Sequence, residues 1–193
     1  MSLTIKWQDV EGLKRFDNAL KALGDKEMRK VTNRAVNRAG DMARTKVRRE
    51  LARQTGLKYK IIKHALKIKR SSWSTLEYRI TARGGDIALK YFSPRETSKG
   101  VTAAPFGKRK LFPGTFMKAG WWPNRVVKPS WNGHVFKRVG TEKSPIEKEV
   151  SGVSIPNEMV QGASKDVFQS TVARVLPQRI EHEIKRLTKG VVS

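Results

Sequence analysis

Residues 25–54 read DKEMRKVTNRAVNRAGDMARTKVRRELARQ, and this stretch decides the fold class. Met28, Val31, Ala35, Ala39, Met42 and Leu51 lie close to one stripe at helical spacing, and Val36, Ala43 and Val47 widen it. The pattern predicts one long helix. Asp25 is placed to cap it. Gly40 costs about 1 kcal/mol in a helix interior and admits a break there. A helix of this length is a rod of roughly 45 Å, longer than a small domain usually buries within itself. Its stripe is rich in small residues, which suits close packing against a sheet or another subunit. Plain core and a partner-helix seam both fit that stripe.

Working outward, residues 9–23 read as a short amphipathic helix. Asp9 is its N-cap, Leu13, Phe16, Leu20 and Leu23 are its apolar face, and Gly24 is its stop. On the other side Gly56 separates the long helix from a helical stretch over roughly 57–67. There Ile61, Ile62, Ala65 and Leu66 face inward and Lys58, Lys60, Lys63 and Lys67 mostly outward. The period then changes. Leu76, Tyr78 and Ile80 alternate with Glu77, Arg79 and Thr81, Arg83-Gly84-Gly85-Asp86 is a turn, and Ile87, Leu89 and Tyr91 resume the alternation, which predicts a β-hairpin.

Residues 93–132 differ in kind. They hold Pro94, Pro105, Pro113, Pro123 and Pro129 together with Trp121, Trp122 and Trp131. Short strands are expected at Val101–Ala104 and Thr115–Lys118. So long a stretch with so little regular structure marks a functional or interaction loop. Three roles fit its tryptophans: packing the loop to the body, anchoring a protein interface, or stacking on single-stranded nucleic acid. Further on, His134–Val139 and Val150–Ile155 read as strands. Residues 157–188 read as a helical segment with Met159, Ala163, Val167, Phe168, Val172 and Val175 inward, which Pro177 must kink or split. Taken together the chain is expected to be one α+β domain over 1–193. It has N-terminal helices, a small mostly antiparallel sheet, a kinked C-terminal helix packed against it, and a Pro/Trp-rich insertion at about 93–132.

The chain carries 41 Lys+Arg against 17 Asp+Glu, a formal net charge of +24 over 193 residues. The excess is clustered. Residues 44–70 hold 11 basic residues against the single acid Glu50, and residues 90–148 hold 13 against 3, so these two segments carry 20 of the 24 charges. Such a distribution is either two solvated faces or two surfaces turned to a polyanion, most simply nucleic acid. Binding of that kind is sequence-independent and salt-sensitive.

Other classes are excluded on composition. There is no cysteine, which removes disulfides, Cys-ligated zinc and thiol catalysis and fits maturation in a reducing cytosol. No apolar run approaches the roughly 18 residues of a membrane span. The N-terminus lacks the charged and apolar regions of a secretory signal. His64, His134 and His182 are isolated, and no phosphate-loop, dinucleotide or nucleophile-elbow motif is present. Carboxylates near the basic region are few (Glu50, Glu77 and Asp86), too few for metal-dependent nuclease chemistry. An enzyme is not expected, and neither is a cofactor or metal.

The order of features resembles the minor tail protein Z family of long-tailed bacteriophages and prophages, which is related to neck and tail-completion proteins. The resemblance rests on Gly12-Leu13, Ala35-Val36-Asn37-Arg38-Ala39, Ala65-Leu66-Lys67 within the basic stretch, and Tyr78-Arg79-Ile80. It continues through Phe112-Pro113-Gly114-Thr115-Phe116-Met117, Gly133 to Gly140, Ser144-Pro145-Ile146, Ser154-Ile155-Pro156 and Leu176-Pro177. The region Trp121 to Trp131 departs from it. The resemblance implies a structural virion protein of the tail or neck, present in the host cytoplasm during assembly. It would act at the head-proximal end of the tail and allow DNA to be seated in the tail channel. Sixfold tail symmetry implies a hexameric ring, with tail terminator or tail tube protein and head-closure or connector proteins as neighbours and phage DNA in the lumen.

On that reading the channel-facing candidates are Arg44, Lys46, Arg48, Arg49, Arg53, Lys58, Lys60, Lys63, Lys67, Lys69 and Arg70. The candidates for a subunit or partner interface are Phe112, Phe116, Trp121, Trp122 and Trp131. The alternative is a free, sequence-nonspecific nucleic-acid-binding protein, ribosome- or nucleoid-associated. A membrane-surface role for helix 57–67 is weaker, since that helix is short and its apolar face has no Trp or Phe.

Overall fold

The computed structural model describes residues 1–6, 16 and 24–188. The helix expected at 9–23 therefore lies outside the described residues, except for Phe16, which packs partly buried against the core. The described fold is α+β. A long helix, α1 (Asp25–Thr55), runs without interruption, and a second long helix, α4 (Gly162–Leu187), packs against it. Arg34 near the start of α1 meets Glu183 near the end of α4 (3.5 Å), while Gln54 at the end of α1 accepts a hydrogen bond from Ser164 near the start of α4 (2.9 Å). The two helices are therefore antiparallel. Val31, Ala35, Val36, Ala39, Ala43, Val47 and Leu51 are fully buried on α1. Phe168, Val175, Leu176, Ile180 and Ile184 face them from α4. The stripe predicted from spacing is thus the core of the molecule.

Two details of α1 differ from expectation. Asp25 is the first helical residue and Gly24, with φ 80°, precedes it, so the carboxylate interacts with the helix N-terminus without capping it. The helix does not break at Gly40, because that glycine serves a close approach. A Cβ there would lie 2.4 Å from the ring of Tyr78. α1 ends where Gly56 adopts the left-handed conformation (φ 76°) and donates to Ala52 O.

After Gly56 the chain forms a short helix, α2 (Tyr59–Ala65), and passes directly into strand β2 (Leu66–Lys69). The expected helix over 57–67 is therefore shorter, and Lys67 and Lys69 are strand residues. β2 and β1 (Ser2–Lys6) flank β3 (Glu77–Ala82) in an antiparallel sheet of order β1-β3-β2. Leu3, Ile5, Leu66, Tyr78, Ile80 and Ala82 turn to the core. This occupancy overturns the predicted hairpin. β3 has partners on both edges, so residues 87–91 have no edge to pair with. They turn instead to 149–153, with Ile87 N donating to Val153 O and Ser151 N to Ile87 O (both 2.9 Å), and Leu89–Tyr91 closes as a 3-10 turn.

Residues 93–132 are more regular than a loop. β4 (Arg95–Thr97), β5 (Gly100–Ala103) and β6 (Lys110–Pro113) form one small antiparallel sheet. β7 (Thr115–Phe116), β8 (Phe136–Arg138) and β9 (Ile146–Lys148) form another. The strand expected at 150–155 is replaced at its end by helix α3 (Ile155–Met159). Pro156 falls in its first turn, where a missing N–H costs nothing. Pro177 does not split α4. The bond its ring forgoes is to the carbonyl of Ala173, a residue on the exposed side of the helix.

Candidate interaction surfaces

The eleven basic candidates do not fall on one surface. Three are held by carboxylates. Asp41 on α1 takes ion pairs from Arg44 (3.2 Å) and Arg70 (2.7 Å), and Glu50 takes Arg53 (2.5 Å). Asp41 also accepts the Tyr78 hydroxyl (3.0 Å), so it ties α1 to the sheet. Burial first, and then the hydrogen bond and charge of Asp41, push the Tyr78 pKa up to about 12. Lys46 and Arg48 flank buried Val47 and sit about 200° apart around the helix axis, on opposite sides of the stripe. The Nε atoms of Arg44 and Arg48 are buried without a hydrogen-bond partner. Arg49, Lys58, Lys60 and Lys63 are exposed, with no ion pair among the described residues.

Lys67 and Lys69 fare differently. Strand alternation puts both on the outer face of the β1-β3-β2 sheet, opposite the buried Leu66. Register places Lys67 beside Thr81 and Lys69 beside Arg79, and Arg79 is in turn beside Thr4. Lys6 and Arg79 thus join this cationic face. Sequence reasoning misses them for one reason: the spacing puts Leu66 and Lys67 at the end of a helix over 57–67 and no strand after it, so the polar side of Glu77, Arg79 and Thr81 has no neighbour to combine with. The alternation of Leu3 and Ile5 with Thr4 and Lys6 was the available signal.

The five aromatic candidates also divide. Phe116, Trp131 and Phe136 form one cluster, with ring centroids 5.7 Å (Phe116–Trp131), 5.0 Å (Trp131–Phe136) and 6.4 Å (Phe116–Phe136) apart. The guanidinium groups of Arg125 and Arg138 lie 5.9 and 5.6 Å from the Phe116 ring, within cation–π range. Phe112 is half-buried, with Lys110 Nζ 4.9 Å from its ring. Trp121 and Trp122 alone stand out, 80% and 53% exposed.

They ride on a short arm pinned by reciprocal Ala119–Val126 backbone bonds (both 2.8 Å) and by Arg125. Arg125 donates to Gly120 O (2.6 Å) and closes on Glu96 of β4 through Nε (3.0 Å) and Nη2. Two open hollows of about 300 and 390 Å³ adjoin the arm. Nearby, His134 is held below the usual imidazole pKa, by burial first and then by the charges of Lys90 and Lys148.

These are a cationic sheet face and an exposed aromatic arm braced by Arg125 and Glu96. The chain belongs to the prophage minor tail protein Z family, whose model matches residues 10–192. It is a bacteriophage minor tail protein, and its role is a structural one in the virion tail. No curated protein and no solved structure matches the chain. Among the described residues no helix is long and apolar enough to cross a membrane.

Proposed function

We propose that the protein forms a ring at the head-proximal end of the tail, completes the tail there, and accommodates DNA in a basic channel. The observation that carries this is the coupling of family membership to charge that the fold leaves uncompensated. Lys46, Arg48, Arg49, Lys58, Lys60, Lys63, Lys67 and Lys69 have no ion pair among the described residues. A ring built from such subunits would present DNA with a positive wall, and phosphate contacts of that kind accommodate a duplex without sequence preference.

In the same reading Trp121 and Trp122 are interface anchors. Trp and Arg dominate interface hot spots, and the arm is already held by Arg125 and Glu96, so little ordering cost accompanies binding. The neighbours are further copies of the chain, tail terminator or tail tube protein, and head-closure or connector proteins. The role is non-enzymatic.

A reconstruction of the tail with its neck tests this. The expected outcome is a closed ring of this chain, six copies in number, at the head-proximal end with basic residues on the lumen. A position elsewhere along the tail, or a lumen lined by another protein, overturns the reading. The net charge alone also favours a free nucleic-acid-binding protein. Its signature is a chain missing from purified tails and recovered with nucleic acid instead.

A further inference from the structure

The outer face of the β1-β3-β2 sheet is a grid of three rows. Ser2, Thr81 and Lys67 stand side by side in the first, Thr4, Arg79 and Lys69 in the second, and Lys6 and Glu77 in the third. Every outward side chain is a hydroxyl or a charge. Four are cations and one is an anion, and Glu77 pairs with Arg79 (2.6 Å). Lys6, Lys67, Lys69 and Arg79 are exposed. A polar outward face is ordinary for a sheet buried on one side, but an excess of cations over anions on it is not required by folding. Lys69 and Arg79 are directly cross-strand, and like charges so placed destabilise a sheet. An anion held above them reverses the sign of that interaction.

The grid carries no aromatic side chain, so it has nothing on which unpaired bases stack. Among the described residues this face is made of strands alone, so it meets phosphates and sugars rather than base edges. We infer that this sheet face, not the helical surfaces of α1 and α2, is where the protein meets the phosphate backbone of duplex DNA. The inference rests on the DNA-accommodating reading above and narrows it to Lys6, Lys67, Lys69 and Arg79, with the hydroxyls of Thr4 and Thr81 as neutral donors. Of the eleven sequence candidates it retains only Lys67 and Lys69.

The experiment titrates a fluorescent mixed-sequence DNA duplex with the full-length protein over a series of salt concentrations. Three proteins are compared: wild type, the sheet variant Lys67→Gln/Lys69→Gln, and the helix variant Lys46→Gln/Arg49→Gln, which removes the same charge from α1. Each lost phosphate contact lowers the slope of log K against log salt by about one. The sheet variant is therefore expected to lose about two units of slope, uniformly across sequences, and the helix variant none. Far-ultraviolet circular dichroism confirms that both variants fold. A slope lost from the helix variant and kept by the sheet variant overturns the face while leaving the DNA reading standing. No binding of the wild type at low salt overturns both. Tighter binding of a single strand, lost in Trp121→Ala, transfers the site to the aromatic arm and also overturns the face.

Discussion

The helical body and the region from β4 to β9 are held together by different means. In the body, α1 and α4 bury continuous apolar stripes, and the central sheet covers Gly40 with the ring of Tyr78. In the second region no strand exceeds four residues, and buried apolar side chains are sparse: Val101, Ala103, Pro105, Val135 and Phe136. Polar side chains substitute for area. Thr115, itself buried, donates to Phe112 O (2.7 Å) and accepts from Val101 N (3.1 Å), so one hydroxyl joins two sheets at the Pro113-Gly114 corner. Arg125 and Glu96 brace the arm to β4. A long helix amortises its backbone hydrogen bonds internally and needs only a stripe. Two- and three-residue strands leave their ends open, and specific side-chain bonds must close them.

Substitutions can break that contrast on either side. The largest effect is expected in the body, where Leu51→Ala leaves a cavity in a fully buried helix interface and costs about 2–5 kcal/mol by urea unfolding. In the second region Glu96→Ala removes a carboxylate only 6% exposed and leaves Arg125, 18% exposed, without its partner. The loss expected is about 1.5–3 kcal/mol. Proteolysis at the 117–128 arm should accelerate more than cleavage elsewhere. If Glu96→Ala opened the helical body as readily as the arm, the division between the regions would fail.

Gly40→Ala sharpens the contrast by setting propensity against packing. Alanine gains about 1 kcal/mol of helix propensity. Its methyl, however, meets a buried ring that is also tethered by its hydroxyl to Asp41. A net loss of about 1–3 kcal/mol is expected. A more stable variant would show that the ring gives way.

The smallest effect concerns pH. Tyr78 keeps its proton in the folded protein up to about pH 12, against 10.0 for an unperturbed tyrosine. A folded pKa raised above the unfolded one means stability fully present below pH 10 and lost as pH rises toward 12. Tyr78→Phe is expected to flatten the decline of the unfolding midpoint across that window while lowering stability modestly at neutral pH. An unchanged alkaline profile would remove Tyr78 as its source.

The periodic parts of the molecule were legible in advance. α1 was readable nearly to the residue, because Val31, Ala35, Ala39 and Leu51 repeat at helical spacing whether or not a partner is known. The C-terminal helix was legible in part: the spacing runs one segment over 157–188, whereas α3 ends at Met159 and α4 begins at Gly162, and the short strands β5 and β8 fall within a residue or two of their expected bounds. The errors cluster where a non-local partner decides. Residues 87–91 alternate as a strand should, but β1 had already taken the edge of β3. Lys67 and Lys69 follow a helix without a turn signal, so only pairing with β3 marks them as strand. Trp131 looks in sequence like Trp121 and Trp122, yet it turns into the Phe116–Phe136 cluster while they stay exposed.

By itself the sequence determined the α+β class, the long helix, the clustered positive charge and the family, because each depends on residue type and local spacing. Only the tertiary structure decided which charges stay free. Asp41 neutralises Arg70 from 29 residues away, and sheet register brings Lys6 and Arg79 beside Lys69. An ion pair and a cross-strand neighbour are set by distance in space, which spacing along the chain does not encode.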